Sequence, residues 1–115
     1  IGPTAKALEE LAALGITPPD QIAMQSYRLK RIQAQLQQAD IGAILLYDPI
    51  NIRYATGSSN MQVWTSHNLA RAAMVTADGY VILWDFAHCD HLTAHLTHID
   101  EIRTGAGHFY FSAGE

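Results

Sequence analysis

Apolar positions in this chain recur first at helical spacing and later in short unbroken runs, and the change of period divides it into elements. Leu8, Leu11 and Leu14 fall on one helical stripe between Thr4, a hydroxyl suited to capping, and Gly15, a natural stop. A helix over Ala5 to Leu14 follows. Ile16-Thr17-Pro18-Pro19 is a connector, because paired prolines cannot continue a helix. A longer helix is expected from about Asp20 to Ala39, with Ile22, Leu29, Ile32 and Leu36 on one face and Gln, Lys and Arg on the other.

Gly42 then breaks the helical period. The run Ala43-Ile44-Leu45-Leu46-Tyr47 is apolar at every step, which predicts a strand covered on both faces. Asp48-Pro49 predicts a short helix, with Asp accepting from free amides and Pro at the first helical position; Gly57 ends it. Residues 58–68 are polar with an aromatic insert, and predict a long loop or irregular strand. Ala72 to Thr76 and Tyr80 to Trp84 flank Asp78-Gly79, a hairpin signal because both turn residues tolerate positive φ. A helix from about Ala87 to Leu96 and a strand around Ile99 to Arg103 complete the pattern. Helices interleaved with strands and one hairpin predict an α/β domain: a mixed β-sheet flanked by helices.

Composition narrows the class. The chain has 115 residues, 49% apolar and 16% charged, enough for one core and too hydrophobic for a disordered segment. A net charge of −4 without a basic run argues against a nucleic-acid partner and against an anionic membrane surface. No apolar stretch approaches the length of a membrane span. A single cysteine, Cys89, rules out an internal disulfide and suits a cytoplasmic location.

Four histidines stand out. On a helix, His88, His91, His95 and His98 would share one stripe, and a pair four residues apart such as His91 and His95 can chelate a divalent metal from one face. No carboxylate stands in metalloprotease spacing and no second ligand cluster follows, so adventitious metal binding is the most this stripe supports. Cys89 has no sign of activation, Ser58, Ser59 and Ser66 fit no nucleophile pattern, and Gly105-Ala106-Gly107 reads as a turn. The segment Asn60-Met61-Gln62-Val63-Trp64-Thr65-Ser66-His67-Asn68 is richer. It joins an aromatic, an imidazole and several amides outside any amphipathic pattern, which suits either a binding surface or a loop folded back with Trp64 in the core.

The run Asp48-Pro49-Ile50-Asn51-Ile52-Arg53-Tyr54-Ala55-Thr56-Gly57, with the helix carrying Arg28 before it and the hairpin ending Leu83-Trp84-Asp85 after it, resembles the N-terminal domain of the creatinase/prolidase/aminopeptidase P family. The resemblance covers about Asp20 to Arg103. Within that family, Ile1-Gly2-Pro3-Thr4, Asn51 to Thr56, Asn60 to Trp64, His67-Asn68, Ala77 to Tyr80, Trp84-Asp85 and Phe109-Tyr110-Phe111 are similar to the metal-dependent dimethylsulfoniopropionate lyase branch.

That resemblance implies a ribonuclease H-like fold and a subunit of two parts. Residues 1–19 would be an N-terminal helical extension and residues 20–115 a creatinase-type N-terminal domain, followed in the parent enzyme by a catalytic domain holding two divalent metal ions (Zn, Mn, Fe or Co). The expected role is accessory: no catalytic residue and no metal ligand lies in residues 1–115. The implied partners are the chain's own catalytic domain, a second subunit in a homodimer, and a small-molecule or dipeptide substrate. Trp64 and His67 are the candidates for lining the partner subunit's substrate pocket. A proline-directed metallopeptidase parent, or a stand-alone binding module of the same fold, is the alternative reading.

Overall fold

The computed structural model describes residues 3–105; Ile1-Gly2, Phe109-Tyr110-Phe111 and the last two residues of Gly105-Ala106-Gly107 lie outside them. Helix α1 (Ala5–Ala13) begins at Thr4, whose hydroxyl accepts from the Ala7 amide at 3.2 Å. It ends where Gly15 turns left-handed (φ 70°) and the Ile16 amide reaches back to the Leu11 carbonyl at 2.9 Å. Both ends are thus satisfied locally, yet α1 buries none of its residues.

Helix α2 (Gln21–Gln38) starts at Asp20, which accepts from the Ala23 amide at 2.9 Å. Its stop comes before Gly42: Asp40 takes the left-handed conformation (φ 56°) and the Ile41 amide bonds the Leu36 carbonyl at 2.9 Å. An Asp tolerates this conformation better than most residues, so no glycine is needed there. The buried stripe is Gln25, Leu29 and Leu36, while Ile22 is 76% exposed and not part of it. Gln25 is accommodated because its side-chain amide donates to the Tyr54 carbonyl at 2.8 Å.

Four strands form one sheet in the order β1 (Ala43–Leu46), β2 (Ala72–Thr76), β3 (Val81–Asp85), β4 (Glu101–Thr104). The first two pairings are antiparallel and β3–β4 is parallel, so the sheet is mixed as expected. Helix α3 (Pro49–Thr56) has the anticipated signals at both ends: Asp48 accepts from Asn51, and Gly57 closes it at φ 73°. Helices α2 and α3 cover one face of the sheet. There Leu29, Leu36 and Ala55 pack with Val75 and Val81, and Ile52 with Ala73 and Leu83.

Three local expectations change. Strand β1 is not covered on both faces: among the described residues it is an edge strand paired with β2 alone, and Ile44 and Leu45 are 38% and 48% exposed. The hairpin turn has three residues rather than two, since Thr76 pairs with Tyr80 and only Gly79 has positive φ (111°). Residues 87–96 do not form a helix. They hold one 3₁₀ turn (Asp90–Leu92), and Thr93 is buried with its hydroxyl on the Asp90 carbonyl. The segment must carry the chain from the end of β3 back to the start of parallel β4, and it is pinned to α3 on the way, His98 Nε2 meeting the Thr56 carbonyl at 2.7 Å. His, Cys, Asp and Thr are weak helix formers and give no reason to resist that path.

Candidate functional site

The polar-aromatic segment after α3 is built onto the sheet through one buried charge pair. Arg71, just before β2, and Asp85, the last residue of β3, are 3% and 1% exposed. The guanidinium grips the carboxylate with two prongs, Nε to Oδ1 at 2.9 Å and Nη2 to Oδ2 at 2.8 Å. Burying either charge alone would cost several kcal/mol, so the pair holds only because every polar atom finds a partner. Asn60 Nδ2 donates to Asp85 Oδ1 at 3.1 Å, the Phe86 amide donates to the same oxygen at 2.8 Å, and Arg71 Nη2 also donates to Ser58 Oγ. Ser58 and Asn60 are themselves buried. The residues that open the 58–68 segment are therefore fixed to the strand ends, and the rest projects from them.

What projects is a knuckle. Met61 sits at φ 45°, and a single helical turn, α4 (Gln62–Thr65), follows where a loop or irregular strand was expected. Its hydroxyls are spent inward: Thr65 Oγ1 on the Met61 and Gln62 carbonyls and Ser66 Oγ on the Val63 carbonyl. Asn68 Nδ2 closes the knuckle by donating to the Trp64 carbonyl at 3.1 Å. The Trp64 ring is half-buried, tilted at 52° to Phe86 with centroids 5.8 Å apart, so it packs beside the charge pair rather than in the sheet core. Met61, Val63 and His67 are exposed, Val63 at 84%. The outer surface of the knuckle is thus apolar with one imidazole at its edge.

Trp64 and His67, the two residues singled out in sequence, share this knuckle. His91 and His95 lie elsewhere, on the 3₁₀ segment and the turns after it, so the continuous helix that would have aligned four histidines is absent. His91 Nδ1 is 3.1 Å from the His88 carbonyl. Among the described residues no group of three or more His, Cys, Asp or Glu side chains could hold a metal ion. No described helix is long and apolar enough to cross a membrane.

Sequence reasoning passed over Arg71, though a signal was present. The β2–β3 register pairs Ala72 with Trp84, and one step outward sets Arg71 opposite Asp85. Opposite charges at the open end of a predicted hairpin are cross-strand neighbours. What the register could not show is that Ser58 and Asn60 would arrive to bury them. Arg71 is also among the residues around an open cavity of about 270 Å³ on the face of the sheet away from α2 and α3, with Leu45, Tyr47, Met74 and Trp84. Arg103 lies over the Trp84 ring there, 5.6 Å from its centroid.

Comparison with known proteins agrees with this architecture. Residues 28–99 match the family model described as Creatinase/Prolidase N-terminal domain. Over all 115 residues the chain is 43% identical to Dimethylsulfoniopropionate lyase DddP of Roseovarius nubinhibens and 39% identical to that of Roseobacter denitrificans. It spans 26% of the length of each of these relatives. Among solved structures, an Xaa-Pro aminopeptidase from Streptococcus pyogenes superposes with a TM-score of 0.58 at 22% identity, over 71% of this chain and 57% of that one. The aminopeptidase P of Streptococcus thermophilus gives 0.55 at 20% identity, over 70% and 56%. At such identities these two speak for the fold alone.

Proposed function

The chain belongs to the creatinase/prolidase N-terminal domain family, and on that footing we propose that it is the non-catalytic accessory part of a dimethylsulfoniopropionate lyase. In this reading residues 1–19 are an extension and residues 20–115 the accessory domain of a cytoplasmic, homodimeric metalloenzyme whose catalytic domain and two metal ions lie downstream. The domain's task is to present the 58–68 knuckle to the mouth of the other subunit's active site. The observation that carries the reading is identity of 43% with a lyase over the whole chain, knuckle included. The peptidase alternative rests on fold alone.

The knuckle has the physical means for that task. A sulfonium substrate is a cation with an apolar skin, and it favours the face of an aromatic ring by roughly 0.5–2 kcal/mol, more when water is excluded. Trp64 is held against Phe86 on a turn anchored by the buried charge pair, so its ring is oriented before any ligand arrives. Preorganisation of this kind lowers the ordering cost of binding. His67, exposed three residues on, would face the substrate carboxylate.

Kinetics of the full-length enzyme test the proposal. Trp64→Ala is expected to raise KM or lower kcat so that kcat/KM falls by about 2- to 30-fold, the range that the aromatic term allows. Trp64→Phe, which keeps an aromatic face, should recover part of the loss. Unchanged kinetics in Trp64→Ala, with the fold intact by circular dichroism, would overturn it.

A further inference from the structure

The face of the sheet opposite α2 and α3 carries an apolar surface on which no described helix lies. The strand register sets Leu45, Met74 and Ile82 side by side in one row, and Ala72, Trp84 and Arg103 in the next. Leu45 is 48% and Tyr47 40% exposed, while Met74 and Trp84 are half-buried. Ala72 is the small member among larger neighbours, and the open cavity of about 270 Å³ borders it, with Tyr47, Met74 and Trp84 around. Its rim is polar: Arg103 lies over the Trp84 ring, and Glu101 holds the guanidinium at 2.6 Å. An apolar surface with a polar rim marks a face that something covers.

The chain brings a cover to this place. Gly105, the last described residue, itself lines the cavity. Its amide donates to the Asp85 carbonyl at 2.7 Å, and a Cβ on it would stand 3.3 Å from the Ala70 and Asp85 carbonyl oxygens and 3.8 Å from Trp84 Cβ. The backbone thus leaves β4 pressed against the cavity's edge. Four residues further on comes Phe109-Tyr110-Phe111. Four residues span at most about 14 Å, so Phe109 stays within that radius of Gly105 whatever path the chain takes. Met74 and Ala72 stand two strands from β4, roughly 10 Å at the usual strand spacing, and so within reach. Each aromatic side chain has roughly 150–250 Å² to take out of water. The opposite face of the sheet is already taken by α2 and α3.

We infer that Phe109-Tyr110-Phe111 of the same copy is the cover, folded back over the gap at Ala72. The bed suits aromatic rings: Trp84 offers a ring, Met74 a thioether, and Arg103 a guanidinium already turned to a ring face. Docked there, the run closes the cavity beside Arg71 and adds an apolar wall to the charge pair that carries the knuckle. The inference holds for a lyase or a peptidase parent alike.

The test uses the full-length chain with Cys89 and any other native cysteine changed to serine. Phe109→Cys or Phe111→Cys, which share one side of an extended run, is combined with Ala72→Cys in the gap or, as the control, with the exposed Met61→Cys on the knuckle. Under mild oxidation at least one of the two aromatic positions is expected to form a disulfide within one copy at least tenfold faster with Ala72→Cys than with Met61→Cys. Met74→Cys, on the same cavity, replaces Ala72→Cys where circular dichroism shows that the latter has not folded. Equal rates, or a faster disulfide to the knuckle, would overturn the inference. So would disulfides that join the gap to a second copy alone, which would make this face a dimer contact. The absence of any disulfide to the gap would also overturn it, and would leave the face to the downstream catalytic domain.

Discussion

Replacing Arg71 by methionine probes the buried pair on which the knuckle stands. Asp85 accepts four hydrogen bonds, two of them from the guanidinium. After Arg71→Met the carboxylate keeps Asn60 and the Phe86 amide but loses its countercharge, in a position 1% exposed. Removing one partner of such a pair costs about 3–5 kcal/mol, a large share of the roughly 5–15 kcal/mol that holds a domain of this size together. The double variant Arg71→Met/Asp85→Leu removes both charges and fills the space with apolar atoms. It should regain part of the loss, since exchanging a whole buried pair for apolar side chains is often neutral or better, while Asn60 Nδ2 and the Phe86 amide, which lose their acceptor, keep the recovery incomplete. Arg71→Lys should fall between, keeping charge but not the two-pronged geometry. Urea unfolding followed by circular dichroism measures the parent, these three variants and Asp85→Leu alone, and the double variant keeps the test decisive even where Arg71→Met fails to fold. A double variant destabilised by the sum of the two single changes would refute the reasoning, because it would mean that the residues act independently.

Two further outcomes follow from single positions. Gly57→Ala places a side chain at φ 73° with its Cβ 3.2 Å from Gln25 Oε1, and should cost about 1–2 kcal/mol from the left-handed backbone. Gly42→Ala, with nothing within 4 Å, should cost less than half of that; equal urea midpoints for the two would count against the α3 stop. Glu101 accepts from Arg103 Nε at 2.6 Å and Nη2 at 2.8 Å, and these hydrogen bonds hold its carboxyl below the ordinary glutamate range. A carboxyl depressed in the folded state stabilises above its unfolded pKa, and that contribution fades as pH falls through the folded value. A carboxyl NMR titration should place the Glu101 midpoint low in the parent and return it toward the ordinary range in Arg103→Gln.

Local signals in the sequence determined much of this protein. The starts of α1, α2 and α3 sit where Thr4, Asp20 and Asp48 put them, because a short oxygen side chain satisfies free amides within its own turn. The β2–β3 hairpin and the mixed sheet followed likewise from alternation and from Asp78-Gly79, and the knuckle was singled out by its composition. Tertiary structure decided what depends on neighbours distant in sequence. Whether Ile44 and Leu45 are covered depends on which strands flank β1, and in the described residues only β2 does. Residues 87–96 lost their apparent helix to the geometry of a parallel connection and to the hold of His98 on α3. The charge pair of Arg71 and Asp85 was half-legible in the hairpin register, but its burial was not. A charge can leave water only when several donors and acceptors converge on it, and here Ser58 and Asn60 come from a segment that no periodicity connects to the strands.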